Sequence, residues 1–507
     1  MIAMSRFFLI SLLSCSCIAA ASDFPGGLRD ALGPQFAPAP AIQIPMPVRR
    51  GPSDVDRLRF WNQVAVDASG VDHTPVQSGE TRVFGEQLGP GRSSRAIAIV
   101  HIAMFDAVNA IVGGYKGYTA LPRARRDISI DAAIAAAAHD TLVAVFPSQA
   151  PRLDEIYAAD LADIRSLSSS HRAAGIELGQ KAAAAILALR AKDGSQHSEP
   201  RIGIDYFPAP EAGVWRQDPI SQIPLAMGWH WGEVAPFVLA SGSQFRAPVP
   251  PAMGSHAYAV AYNEVLRLGG DGVVTPTQRT PEQTQAGIFW AYDGTPSLCA
   301  PPRLYNQIAL VVADRMPPMR VIELARLLAL VNISMADAGV AIWESKYYYK
   351  LWRPITGIRE SDAGSGPSGT GDGNAETTGD PNFMPLGAPA SNLVGPNFTP
   401  PFPAYPSGHA GFGGALFETL RRFLGSDNIP FTFVSDEFNG VTLGNDGLAR
   451  PLRARSFASL SQAEEENGQS RIYLGIHWSY DKSEGIAQGR RVARYVFDNA
   501  LVPVPMR

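Results

Sequence analysis

The sequence predicts an all-α protein in which helices alternate with long loops. Apolar residues recur at helical spacing in many segments of the 507-residue chain, and no strand-like alternation extends beyond a few residues. No repeat at a fixed period is present. Hydrophobic residues make up 46% of the chain and charged residues 18%, so the composition is that of a globular protein with a sizeable core.

The predicted helices begin after an irregular, Pro-rich stretch from residue 23 that is expected to wrap the surface. Asp131 is expected to cap an Ala-rich helix, and Thr280 to open another in a capping box with Gln283. The long helix 321–352 is expected to carry two motif cations near its end. The predicted segments are 55–67, a helix from Ser93, 131–146, 151–164, 171–192, a helix from Ser255, 280–290, 303–315, 321–352, a helix from Ala410, a short helix through Glu466, and 480–499.

Two regions are predicted to be loops. Residues 196–255 contain many prolines, and residues 361–404 are rich in Gly, Ser, Pro and Asn without periodicity. A loop as long as 361–404 inside a compact domain is functional or disordered. Because sequence motifs bound it on both sides, we expect it to pass close to the site described below.

The first 22 residues read as a secretory signal. Arg6 precedes an apolar run, and small residues around Ala20 form a cleavage region. Cys15 lies in a sequence that also resembles a bacterial lipobox, so the chain is expected to be secreted or periplasmic, with lipid anchoring through Cys15 as the variant. Cys299 then stands alone in the mature chain, which excludes a disulfide framework.

The composition also limits the classes of partner that the chain is expected to bind. A net charge of −4 without a basic block argues against binding nucleic acid, and no later stretch reaches 18 consecutive apolar residues, so no membrane span is expected. The expected organisation is a signal at 1–22, an N-terminal helical half at 23–255 and a C-terminal helical half at 256–507 that carries the site. The sequence leaves the oligomeric state open.

The C-terminal half contains the segment Pro406-Ser407-Gly408-His409 at the start of a predicted helix. Pro406 prevents a helix from entering from its N-terminal side. A Ser hydroxyl, a Gly amide and a His at a helix N-terminus form a cradle for an oxyanion. By itself the triplet is also what a capped helix start looks like.

Two flanking motifs add charge to this segment. Lys346 is followed seven residues later by Arg353, and Arg471 is followed six residues later by His477. Arg forks bind paired oxygens and Lys acts as a point charge, so the set suits a tetrahedral oxyanion of high negative charge. Asp481 lies four residues after His477, where on a helix its carboxylate could orient the ring.

In this order, Lys-x6-Arg-Pro, Pro-Ser-Gly-His and Ser-Arg-x5-His-x3-Asp resemble the signature that vanadium-dependent haloperoxidases share with type 2 phosphatidic-acid phosphatases. The segment RAIAIVHIAMFDAVNAI resembles the first core helix of the haloperoxidase branch. The resemblance implies two four-helix bundles with the site in the second. The 60 residues between His409 and Ser470 exceed the usual spacing and are expected to be a loop insertion.

The resemblance implies a haloperoxidase that oxidises halide with hydrogen peroxide to hypohalous acid, with one vanadate per chain and a small organic acceptor. His477 would be the metal ligand, His409 the acid/base, and Lys346 would polarise the activated peroxide oxygen. The vanadate oxygens would be held by Lys346, Arg353, Ser407, Gly408 and Arg471.

The alternative on the same residues is a secreted acid phosphatase. His477 would then be the nucleophile, Asp481 would orient it, and His409 would protonate the leaving alcohol. Phosphate and vanadate are near-isosteric, so the motifs do not separate the two. The length of the chain and the haloperoxidase-like helix favour the haloperoxidase, and a catalytically silent oxyanion-binding protein is the third alternative.

Three further residues are candidates beside the motifs. Trp343 and Phe402 match aromatic positions beside the halide in chloride-oxidising members of the family, although both could be ordinary core residues. Asp293 is expected to pair with a site arginine, Arg471 in particular, because buried cations need acidic compensation. Its alternative is a turn residue before Gly294.

Overall fold

The computed structural model describes residues 23–39, 46–49, 51–164 and 168–504. It is mostly helical, which confirms the predicted fold class. The helices are α1 Leu28–Leu32, α2 Asp54–Asp72, α3 Pro90–Val112, α4 Ile130–Val145, α5 Ala150–Ala162, α6 Ser169–Arg190, α7 His256–Leu268, α8 Pro281–Phe289, α9 Pro301–Ala313, α10 Val321–Tyr349, α11 Pro354–Arg359, α12 Gly408–Leu424, α13 Leu460–Tyr473 and α14 Ser479–Asn499.

Four short strands accompany these helices. Strand β1 (Ala37–Pro38) pairs antiparallel with β2 (Leu393–Val394), and β3 (Phe431–Val434) pairs antiparallel with β4 (Ala454–Phe457). The N-terminal segment therefore does more than wrap the surface, because β1 joins it to the loop 361–404. Residues 1–22, which carry the predicted signal and Cys15, lie outside the described residues.

The N-terminal half is built on α3, α4 and α6, which pack against one another. Its helix boundaries differ from the predicted ones in one instructive place. Ser129, and not Asp131, caps α4, since its side chain accepts a hydrogen bond from the backbone N–H of Ala132. Asp131 lies in the first turn of α4, where its negative charge interacts favourably with the helix dipole.

Helix α10 is the central element that links the two halves. It packs against α3 on one side and against α12 and α14 on the other. By length and composition α3 and α10 are each apolar enough to cross a membrane, and the bent α4–α5 pair would add a third candidate. The apolar windows of α3 and α10 are 94% and 100% buried, so other parts of the protein cover their apolar faces.

Helix α10 ends earlier than predicted. It stops at Tyr349, and Lys350 follows in the left-handed conformation with φ 50° and is exposed. The prediction that Lys346 and Arg353 share the end of one helix is therefore wrong. Arg353 is the residue before α11 and is brought back towards Lys346 by the turn.

The second half closes around α12, which packs closely along α14. Gly489 permits this approach, since a Cβ there would lie 2.0 Å from the carbonyl oxygen of Gly411. The stretch between His409 and Ser470 is not a simple loop. It contains the rest of α12, the β3–β4 pair and most of α13, so it is a folded part of the second half.

Candidate functional site

The three sequence motifs converge at the start of α12. Ser407 caps this helix and is fully buried, while Gly408 is its first residue. A Cβ on Gly408 would lie 3.5 Å from the Trp343 ring, at ordinary contact distance, so the helix N-terminus lies directly beside the aromatic ring. The backbone N–H of Ser407 donates to the carbonyl of Asp481, which ties the helix start to α14.

Lys346 and Arg353 are held by backbone carbonyls of the 400–404 segment. Lys346 Nζ donates to the carbonyls of Pro403 at 2.8 Å and Ala404 at 3.0 Å. Arg353 Nε donates to the carbonyl of Phe402 at 2.9 Å. Both side chains are buried, so these carbonyls fix the two cations in place without neutralising their charge.

Arg471 projects from the last turn of α13 and is 1% exposed. Its Nη2 donates to Asp293 Oδ1 at 2.6 Å, so the predicted pairing of these two residues is confirmed. Its Nε and Nη1 atoms have no hydrogen-bond partner among the described residues. Two buried donors of a guanidinium group thus remain available to a ligand.

His477 lies just before α14, and Asp481 lies in its first turn. His477 Nδ1 donates to Asp481 Oδ2 at 2.9 Å, so the carboxylate orients the ring as expected, with His477 just outside the helix. His477 Nε2 lies 2.9 Å from Nη1 of Arg353, and since Arg353 only donates, Nε2 carries the lone pair. The ring nitrogen that faces the cations is therefore the unprotonated one.

His409 is also fixed in one orientation. Its Nε2 donates to the carbonyl of Ala291, and Asp293 Oδ1 lies 3.9 Å from the same nitrogen. The carbonyl of His409 accepts from the Tyr305 hydroxyl at 2.8 Å and from Asn467 Nδ2 at 3.0 Å. The bond to Ala291 leaves Nδ1 of His409 as a proton acceptor.

Burial dominates the electrostatics of these groups. Burial, followed by the charge of Arg353, lowers the pKa of Lys346 well below its usual value. Burial lowers the pKa of Arg353 to about 9 and that of His409 to about 3. Burial raises the pKa of Asp481 to about 7. Each shift disfavours the charged form, which is the signature of charges whose compensation is incomplete.

Trp343 and Phe402 form an aromatic wall beside the cations. Their ring centroids are 4.9 Å apart. Lys346 Nζ lies 5.1 Å from the centroid of the Phe402 ring, and Arg353 Cζ lies 5.0 Å from it. The two aromatic residues identified in the sequence therefore lie within cation–π distance of the motif cations.

A cleft of about 710 Å³ opens onto these residues, and we call it the main cleft. Its polar lining includes Asp293, Gly408, His409, Arg471 and His477. The remainder of its wall is mostly apolar and comes from both halves of the chain. It includes Leu32, Phe84, Leu88, Ile223, Met227, Trp343, Phe398 and Phe402.

The sequence analysis missed the groups that hold the site cations and His409. They are backbone carbonyls, and no side-chain pattern marks them. It also missed Tyr305 and Asn467, which bind the carbonyl of His409. A Tyr on one predicted helix and an Asn just beyond the end of another carry no signal of their own.

The donor set fits a tetrahedral oxyanion such as vanadate. Gly408 at the N-terminus of α12, His409, Arg471 and His477 line the main cleft. The buried Arg353 contacts the lone pair of His477, and the buried Lys346 lies against Phe402, which also lines the cleft. The unpartnered donors of Arg471 provide a direct test of this fit, because buried polar atoms without partners are rare in native proteins. We define the cradle as Lys346, Arg353, Ser407, Gly408, His409, Arg471 and His477.

Comparison with known proteins confirms the family resemblance. Residues 326–504 match the model of the VCPO second helical-bundle domain. The vanadium chloroperoxidase of Curvularia inaequalis is 29% identical over 521 residues, which cover 86% of this chain and 81% of the relative. The matched part of this chain contains all three motifs.

Solved structures share the fold. A bacterial vanadium-dependent iodoperoxidase superposes with a TM-score of 0.68 at 23% identity, covering 88% of this chain and 98% of that chain. The holo form of a bacterial vanadium-dependent chloroperoxidase superposes with a TM-score of 0.62 at 17% identity, covering 87% and 96%. The helical-bundle architecture is therefore the same along most of this chain.

Proposed function

We propose that this chain is a vanadium-dependent haloperoxidase that oxidises halide with hydrogen peroxide to hypohalous acid. The observation that carries the proposal is the cradle, in which three buried cations surround an oriented His477 that lines the main cleft, with too few carboxylates to neutralise them. The similarity to vanadium chloroperoxidase supports the proposal that the anion which balances this positive excess is vanadate. One vanadate per chain is expected.

His477 Nε2 would hold the metal, and the cationic and N-terminal groups would hold its oxygens. When bound, vanadate supplies a Lewis acid that activates hydrogen peroxide without changing its own oxidation state. Asp481 fixes the His477 tautomer that keeps Nε2 unprotonated, and the metal would take the lone pair that now accepts from Arg353. The charge of the oxyanion also favours the protonated forms of Lys346 and Arg353, which burial alone disfavours.

His409 is the acid/base residue of the proposal. Its low pKa keeps the ring neutral, and the bond from Nε2 to Ala291 directs the free Nδ1 away from that carbonyl. Nδ1 would accept a proton from hydrogen peroxide and return it when the product leaves. Lys346, held between two carbonyls, would polarise the oxygen that halide attacks.

The apolar wall of the main cleft supports two finer proposals. Trp343 and Phe402 exclude water beside Lys346, which strengthens its electrostatic effect, so we propose that chloride is oxidised as well as bromide. The cleft beyond them would admit a small, apolar organic acceptor, since its wall offers few polar groups. We also propose that residues 1–22 direct export, which N-terminal sequencing of the mature protein tests.

The experiment that tests the function is an assay of vanadate-free protein before and after vanadate is added. We expect peroxide-dependent bromide oxidation to appear only after the addition, in proportion to bound vanadium. A matched assay with p-nitrophenyl phosphate on the vanadate-free protein measures the phosphatase alternative. Hydrolysis without any vanadate-dependent halide oxidation would reassign the cradle to phosphate ester chemistry.

A further inference from the structure

Met227 lies where two clefts meet. It lines the main cleft and also a smaller cleft of about 200 Å³, which Arg92, Glu199 and Trp231 border. Its backbone carbonyl accepts from Trp343 Nε1 at 3.0 Å, so it is tied to the aromatic wall beside the cradle. Met227 is the only sulfur-bearing residue that lines either cleft in the part of the chain that the structure describes.

The sulfur of Met227 lies beside Gly89. A Cβ on Gly89 would lie 2.9 Å from Met227 Sδ, and Gly89 lines both clefts as well. Met227 is half-buried, so the residue as a whole is neither sealed in the core nor fully open to solvent. A soft, polarisable thioether side chain thus borders the cleft that His409, Arg471 and His477 of the cradle also line.

Met253 provides a matched comparison within the same chain. It is also half-buried, and a Cβ on Gly213 would lie 2.9 Å from its Sδ. Both glycines have a positive φ, 85° for Gly89 and 86° for Gly213. The two methionines therefore have similar packing, and they differ in that only Met227 lines a cleft that leads to the cradle.

We propose that Met227 is a self-oxidation site, at which the hypohalous acid formed in the cradle is intercepted before it reaches bulk solvent. The inference rests on the proposed function for its oxidant. The sulfur lone pair attacks the halogen of the hypohalous acid, and hydroxide leaves. Water then adds to the halosulfonium, giving methionine sulfoxide, halide and two protons, one of which neutralises the hydroxide released in the first step. Sulfur loses two electrons and the halogen gains them, so the step balances.

Oxidation changes the cleft as well as the residue. A sulfoxide is polar where the thioether was apolar, and methionine sulfoxide reductases reverse the change. The new S=O group would lie in the apolar wall near Leu88 and Trp343. Apolar acceptors would consequently bind less well after prolonged turnover.

The test is mass spectrometry of the vanadate-loaded, full-length wild-type protein during turnover with hydrogen peroxide and bromide. The ratio of sulfoxide at Met227 to sulfoxide at Met253 is compared with the ratio produced by hypobromous acid added from outside. We expect the turnover ratio to be about tenfold higher, since product formed in the cleft has a high local concentration. Equal ratios would overturn the proposal, because the product would then reach both residues from bulk solvent.

Excess taurine, a charged scavenger that the apolar cleft disfavours, sharpens the test. It should protect Met253 while oxidation of Met227 continues. Loss of both oxidations in parallel would contradict interception in the cleft. If the same samples do not oxidise bromide, no oxidant is formed, and the proposed function is overturned as well. If bromide oxidation is normal and Met227 stays unmodified, this inference alone is overturned.

Discussion

The protein buries arginine in two different ways. Arg57 in α2 is 1% exposed, and its Nε donates to both carboxylate oxygens of Asp160, at 3.1 and 3.0 Å. Its Nη1 also contacts Asp131. One guanidinium group there has two carboxylates. In the cradle three cations share Asp293 and Asp481, and only Asp293 makes a direct contact with one of them.

The difference separates a structural charge from a charge that awaits a ligand. A buried cation is costly unless it is paired, and the charge of Arg57 is balanced by its two carboxylates even though its Nη2 has no hydrogen-bond partner among the described residues. The cradle retains a positive excess, lowered pKa values at Lys346 and Arg353, and unpartnered donors on Arg471. A highly charged anion would supply the negative charge and the hydrogen-bond acceptors that the cradle lacks.

The largest effect is expected from His477→Ala. The substitution removes the ring nitrogen proposed to bond the metal, so vanadate affinity should fall by more than about 100-fold, since even a residue that only orients a metal ligand changes affinity by about 10–100-fold. Halide oxidation should be lost while the circular dichroism spectrum is retained. Vanadium content after dialysis is the measurement, with exposed His256→Ala as control. Stoichiometric vanadium in His477→Ala would rule out His477 as the ligand.

Asp160→Asn and Asp293→Asn test the comparison from both sides. Removing the Asp160 charge should lower the free energy of unfolding by about 3 kcal/mol, because the buried Arg57 loses a direct partner. Vanadate affinity should remain unchanged, since the Arg57 cluster is no part of the cradle. Denaturant unfolding and vanadate titration of the same sample measure the two quantities.

Asp293→Asn should show the opposite pattern. Arg471 loses the carboxylate that positions it, so vanadate affinity should fall about tenfold, as for other residues that orient a binding group. The free energy of unfolding in the presence of vanadate should change less than in Asp160→Asn. If vanadate affinity is unchanged, Asp293 serves only the turn at Gly294, and its supporting role is wrong.

The pH dependence of stability tests whether His409 is held neutral. Its pKa is about 3 in the folded chain, below the ordinary value of 6.5, so between these pH values the unfolded chain takes up a proton that the folded chain excludes. The wild type should therefore lose stability relative to His409→Gln as pH falls, by at most about 1.4 kcal/mol per pH unit. Parallel unfolding free energies of the two vanadate-free proteins from pH 6.5 to pH 4 would contradict the shift.

The smallest effect concerns halide choice. Phe402→His adds a polar, hydrated ring beside Lys346, so chloride oxidation should fall a few-fold more than bromide oxidation, in line with the weaker electrostatics of a wetter site. The rates are compared at matched vanadate occupancy. Equal losses for both halides would reduce Phe402 to a packing residue and remove the basis for the chloride proposal.

The sequence predicted the chemistry of the site better than its local geometry. The sequence identifies Ser407, Gly408 and His409 as site residues because a cap, a glycine and an imidazole have restricted uses at a helix start. Arg353 was assigned to the wrong element, since the left-handed Lys350 that ends α10 has no marker such as glycine. The spacing of seven residues to Lys346 fitted a continuous helix equally well.

The groups that no pattern could reveal are those that act through the backbone. The carbonyls of Ala291 and Pro403 orient His409 and Lys346, and their positions depend on tertiary packing alone. The insertion before Ser470 was taken for a loop because the strands β3 and β4 are only four residues long. Short strands stabilised by distant partners leave little periodicity to detect.

The most direct test of the account is a calorimetric titration of vanadate into the vanadate-free protein at several phosphate concentrations. If the cradle is a single site for a tetrahedral oxyanion, binding should saturate at one vanadate per chain. Its apparent affinity should fall in proportion to added phosphate, because both anions use the same donors. A stoichiometry far from one, or an affinity that phosphate leaves unchanged, would contradict the assignment of the cradle's positive excess to an oxyanion.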